Sequence, residues 1–120
     1  MSSETLSDAF RRGALLFDAG AFFEAHEAWE EGWRIETEPA CRICLQGLIQ
    51  VAAAFHKLIV LGAEESASRL LARGLAKLDA CPPSTLDPCI GAFRDELRAY
   101  ALAAAGTANR ARITPPRLIA

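Results

Sequence analysis

Apolar residues recur along this chain at intervals of three and four, the period of helices that each bury one face. Leu6, Phe10, Gly13 and Phe17 share one side of a first predicted helix over about 4–19, and Gly20 is a fitting stop. A second helix is predicted over about 22–35. Thr37-Glu38-Pro39 is a start signal, because a first-turn N–H has no intrahelical partner and proline loses nothing there. The third helix then runs to about Leu61 and ends at Gly62, and Ala67, Leu70, Leu71, Gly74, Leu75 and Leu78 set a fourth over about 63–78. Cys81-Pro82-Pro83-Ser84 breaks the chain, and Asp87-Pro88 restarts it as a cap followed by proline at the first helical position. Ile90, Phe93, Leu97 and Tyr100 line a fifth helix.

No alternating strand pattern, repeat or linker interrupts this order. The expected fold class is all-α: one domain over 1–120, a compact antiparallel bundle of about five helices, with its core at about 4–106 and an extended tail over 107–120. Glycines inside helices cost about 1 kcal/mol relative to alanine. Gly13, Gly47 and Gly74 are therefore expected to mark close helix–helix approach. In the tail, Thr114-Pro115-Pro116 cannot be helical, while Ile113, Leu118 and Ile119 suit packing on the bundle or on a partner.

Composition narrows the function classes. With 52% hydrophobic residues, 120 residues suffice for one packed core. The net charge of −2 and the scattering of the thirteen Lys and Arg leave no basic face for nucleic acid. The stretch Cys44 to Leu61 is greasy, yet Gln46, Gln50, His56 and Lys57 within it favour the central helix of a bundle over a membrane span. Met1 to Leu6 lacks the order of a signal peptide. The expected location is cytoplasmic, and the four cysteines are expected to be thiols. Cys41-Arg-Ile-Cys44 has a redox or metal spacing near a helix start, where a thiol pKa falls. Without a strand–turn–helix setting, and with Cys81 and Cys89 too far apart for a second tight pair, core filling is the expected role.

Candidate chemistry is concentrated on the second helix. Wound at 3.6 residues per turn, it gathers Phe22, Phe23, Trp29 and Trp33 on one face and places His26 and Glu30 among them. Glu24, Glu27 and Glu31 point away, with Glu27 nearest the boundary. His26 and Glu30, four apart, can touch, and a carboxylate in apolar surroundings requires a partner. Arg42, Gln46, Gln50 and Lys57 form a polar stripe on the third helix that is expected to face them, with His56 just off it.

Three readings of that constellation stay open. It is a structural polar network, a metal site of a hydrolase-like enzyme using His26, Glu27, Glu30 and His56, or a small-molecule pocket lined by Phe22, Phe23, Trp29 and Trp33. No Glu-x-x-His pair supports the metal reading, and the zinc-protease motif lacks its second histidine. The acidic stripe Glu24, Glu27 and Glu31, or the proline-containing tail, also suits a protein-interaction or dimerisation module, a homodimer included. The partners expected are thus a small ligand or a second copy, with no nucleic acid and no membrane.

Two motifs together carry a family resemblance. Phe22-Phe23-Glu24-Ala25-His26-Glu27, continuing to Glu30 and Trp33-Arg34, and Leu45-Gln46-Gly47-Leu48-Ile49-Gln50, continuing to His56, resemble the family catalogued as "domain of unknown function 309". The resemblance covers about 17–78. It implies a compact helical bundle and a polar signature on Glu24, His26, Glu27, Glu30, Arg34, Arg42, Gln46, Gln50 and His56. It implies no particular reaction or cofactor, and the cysteines lie outside the signature.

Overall fold

The computed structural model describes residues 6–82, 89–106 and 114–119. Glu4, the side chain of Leu6, the break at Pro83-Ser84, the restart at Asp87-Pro88 and Ile113 lie outside them. The described residues form five helices and no strand: α1 Leu6–Asp18, α2 Phe22–Ile35, α3 Pro39–Phe55, α4 Glu64–Asp79 and α5 Cys89–Ala105. Successive helices run antiparallel.

The helix ends follow the local chemistry. At the end of α1, Gly20 adopts φ +82°, its N–H reaches Phe17 O at 2.9 Å, and the Ala21 N–H reaches Leu16 O at 2.9 Å. These two bonds satisfy carbonyls that the helix leaves open. At the start of α3, Pro39 sits in the first turn and the Glu38 carboxylate accepts from the Ala40 N–H. The third helix departs from the expected regular run. From His56 to Val60 it widens into a five-residue turn, closed by Leu61 N–H to His56 O at 3.2 Å. Leu58 stays in the core through this turn, while Ile59, Val60 and Leu61 face solvent.

Aromatic rings bring four of the helices together. Phe17 on α1 lies 5.1 Å from Phe22 and 5.9 Å from Trp29 on α2, 5.7 Å from Phe55 on α3 and 5.4 Å from Phe93 on α5, centroid to centroid. Such tilted and edge-on contacts add about 0.5–1.5 kcal/mol per pair beyond simple burial. Trp29 is fully buried, and its indole N–H donates to Phe10 O at 3.0 Å, so the ring enters the core without an orphaned donor.

Two of the helical glycines explain how the helices come so near. A β-carbon on Gly13 would overlap the Trp29 indole. A β-carbon on Gly74 would lie 2.8 Å from Val51 Cγ2 and 3.0 Å from Gly47 O, so α3 and α4 meet almost backbone to backbone. That approach leads to a correction. The cysteines are not all thiols: Cys44 on α3 and Cys81 just beyond α4 form a disulfide, with Cα atoms 5.1 Å apart. The 37-residue separation hides this pair in the sequence. The α3–α4 crossing creates it. Cys41 and Cys89 take no part in this disulfide.

The tail packs on the bundle. Leu118 is buried, and the Asp18 carboxylate accepts from the Leu118 and Ile119 N–H groups at 2.6 and 3.0 Å. The stretch Pro39–Val60 is long and apolar enough to cross a membrane by length and composition alone, and half of its most apolar window is buried inside the bundle.

Two outcomes follow from this packing. Gly13→Ala is expected to destabilise the fold by about 1–3 kcal/mol, the range for forced overpacking, read from urea denaturation with an unchanged m-value. Under non-reducing conditions only two thiols should react in the denatured protein, and dithiothreitol should lower stability by about 2–4 kcal/mol, as expected for opening a loop of this size. Four reactive thiols without reductant would contradict the pairing.

Candidate functional site

The core-facing residues of α2 are Phe22, Ala25, Ala28, Trp29 and Gly32. His26, Glu30 and Trp33 stand on the edge of that face, toward α3. At one end of the seam Phe22 packs on Phe55 at 5.5 Å and Phe23 on His56 at 5.5 Å; at the other, Arg42 lies over the Trp33 ring at 4.1 Å. The two helices are therefore registered so that His26 to Glu30 lies across from the part of α3 that holds Gln46 and Gln50.

The polar cluster is not buried as the sequence suggested. Among the described residues no polar or charged residue is fully buried; the His26 and Glu30 side chains keep 25% and 31% exposure. The reason is angular. The arc centred on Ala25 and Trp29 fills against α1 and α3, which leaves His26 and Glu30 at its margin, where water reaches them.

Along this margin runs an ordered ladder of charge. His26 Nε2 lies 3.3 Å from Glu30 Oε2, and Glu30 Oε1 lies 3.3 Å from the Arg34 guanidinium. The other imidazole nitrogen, Nδ1, is 3.9 Å from Glu27 Oε1, too far for a hydrogen bond. His26 Nδ1 and Gln50 Oε1 are both shielded from water and have no hydrogen-bond partner among the described residues. Phe23, half exposed, stacks on the His26 ring at 6.2 Å and also meets His56, so it stands between the two imidazoles. Gln46 is half-buried on α3, and Glu24 projects into solvent.

Arg42 has a different place from the one expected. It does not face His26 and Glu30. Its guanidinium donates to Trp33 O at 2.7 Å and Glu36 O at 2.9 Å while stacking on the Trp33 indole. Those carbonyls belong to the end of α2, where helices leave acceptors open and the dipole is negative. Arg42 thus caps one helix from the start of the next, a role invisible to face-by-face counting.

The pocket expected from four aromatics does not form. Phe22 and Trp29 are core, Trp33 is covered by Arg42, and only Phe23 is open. Among the described residues no three His, Cys, Asp or Glu side chains converge enough to hold a metal ion. Phe23 separates His56 from the other three groups of the suggested metal set. Nor is Cys41 an activated thiol: burial, with Glu36 and Glu38 adding to it, pushes its pKa up, the reverse of the shift a reactive thiol needs.

Every candidate residue falls inside a stretch recognised in other proteins. Residues 10–70 match the family described as "Domain of unknown function (DUF309)". An "Uncharacterized protein" of Aquifex aeolicus (strain VF5) is 28% identical over 101 residues, which make up 84% of this chain and 29% of that protein. The chain thus spans less than a third of that relative's length. No solved structure matches. With the matched span running from the middle of α1 into α4 and including both polar helix faces, the chain belongs to the DUF309 family.

Proposed function

We propose that this chain is a non-enzymatic binding module that takes a small ligand bearing N–H donors, a primary amine or a guanidinium, at the seam between α2 and α3. The observation that carries the reading is the pair of shielded polar atoms without partners, His26 Nδ1 and Gln50 Oε1. Nε2 faces the Glu30 carboxylate at 3.3 Å, and in the tautomer with the hydrogen on Nε2, the one that pairs with this carboxylate, Nδ1 is an acceptor. The Gln50 oxygen is an acceptor too. Each such atom left unpaired costs about 1–3 kcal/mol, and a ligand donor reaching either atom recovers that cost there.

The surroundings favour the same chemistry. The open face of Phe23 suits a cation, and Glu27 at the rim adds negative charge. The groups named at this seam are an imidazole, carboxylates and amides, with no hydroxyl or thiol among them, which favours binding over catalysis. That the match accounts for 29% of a longer relative also fits a recognition unit joined to other parts.

Methylguanidinium and methylammonium are suitable probes, with acetate as the control. Saturable shifts of the His26 ring nitrogens and the Gln50 side-chain amide are expected in nuclear magnetic resonance spectra with the cations alone. Stabilisation should reach about 2.7 kcal/mol at a hundredfold excess over Kd, and His26→Ala or Gln50→Leu should abolish both effects. If neither cation moves these resonances, or if bound water is found satisfying both atoms, the cluster is structural and the binding reading fails.

A further inference from the structure

On its other side α2 borders an open groove of about 470 Å³ against α1, lined by Arg12, Leu16, Phe23, Glu24, Glu27, Ala28 and Glu31. Its floor is apolar, with Phe23 half exposed at one end. Its outer bank is acidic. Among the described residues Glu24 has no ion-pair partner, Glu27 has only the 3.9 Å approach to His26, and Glu31 shares its charge with Arg12 at 2.6 Å.

A matching surface of opposite sign occurs on the same chain. Along α4, Arg69 and Arg73 are exposed and Lys77 half-exposed, and among the described residues none of the three forms an ion pair. Ala72 and Ala76 are exposed beside them, small enough to let another backbone come close. The order of charges is complementary as well as the sign. Read forward along α2, the exposed stripe is Glu24, Glu27, Glu31, Arg34; read backward along α4 it is Lys77, Arg73, Arg69, Glu65. The two runs span about 15 and 18 Å at 1.5 Å per residue, so each step of one falls close to a step of the other.

From this correspondence we infer that the α1–α2 groove is an interface for a second copy of the chain, occupied by the basic face of the partner's α4 laid antiparallel to α2. The ligand seam lies toward the opposite edge of α2 but shares Phe23 and Glu27 with this groove, so the two readings are told apart by their readouts, self-association here and the His26 and Gln50 resonances there. Because the joined faces sit on different helices, the contact is heterologous: it closes as a ring, or as a two-fold pair that makes the contact twice, or it propagates. Exposed ion pairs contribute about 0.2–1 kcal/mol each, which makes this a reversible, salt-sensitive association rather than an obligate dimer.

Sedimentation velocity on the full chain, with charge-swapped variants, tests it. The wild type is expected to self-associate at low ionic strength and to weaken about tenfold between roughly 0.05 and 0.5 M salt. Glu24→Lys/Glu27→Lys and Arg69→Glu/Arg73→Glu should each sediment as monomers, and mixing the two should restore association, since the reversed faces again complement each other. Restoration also shows that both variants are folded. A wild type that stays monomeric at low salt, association indifferent to salt, or a mixture that remains monomeric would each overturn the inference. So would a monomeric wild type that instead takes up an unrelated Lys- and Arg-rich amphipathic peptide, which would assign the groove to a foreign helix.

Discussion

The ring of Phe17 is the point on which the arrangement of the bundle depends. It touches aromatic side chains from α2, α3 and α5, so the angle at which α1 lies on α2 fixes where the other helices dock. That angle is set one turn earlier by Gly13, which admits the Trp29 indole into the space a side chain would fill. The indole nitrogen then finds a backbone carbonyl of α1, which makes the position specific rather than merely greasy. Close packing of this kind tolerates little drift, and the same rings decide how α2 is rotated about its axis.

Rotation of α2 explains the character of the seam. With Trp29 and Ala25 turned inward, His26 and Glu30 must lie at the edge of the buried arc, neither in water nor out of it. A carboxylate at the centre of the core would be driven toward its neutral form or held by a costly buried pair. At the margin it stays solvated enough to serve both His26 and Arg34 along the helix. Among the described residues the arrangement leaves one imidazole nitrogen and one amide oxygen sheltered and without a partner, and the proposed binding site rests on that pair.

Much of this was legible in the residues. The end of α1 and the start of α3 were marked by Gly20 and Thr37-Glu38-Pro39, and the apolar period named Phe10, Phe17, Phe93, Leu97 and Tyr100 as core, all of them buried. What escaped were properties of contacts between distant segments. The depth at which His26 sits depends on how neighbouring helices rotate, which periodicity does not encode. Arg42 was assigned by its face, yet its geometry is governed by the end of the preceding helix, nine residues upstream. The Cys44–Cys81 bond required knowing that α3 and α4 cross at Gly47 and Gly74, which the expectation of four core-filling thiols did not contain.

The two edges of α2 are also chemically opposite in a way that bears on function. Toward α3 the polar atoms are sheltered and few, so what binds there must be small and must satisfy particular atoms. Toward α1 the carboxylates are exposed and repeated, so what binds there must be long and repeat its own charges at helical spacing. One helix with a core face between two such edges can serve a ligand and a neighbouring protein at once, and the exposed ring of Phe23 belongs to both. Occupation of either edge would order that ring. A coupling between the two events would therefore require no rearrangement of the bundle, only a shared side chain whose freedom is lost once rather than twice.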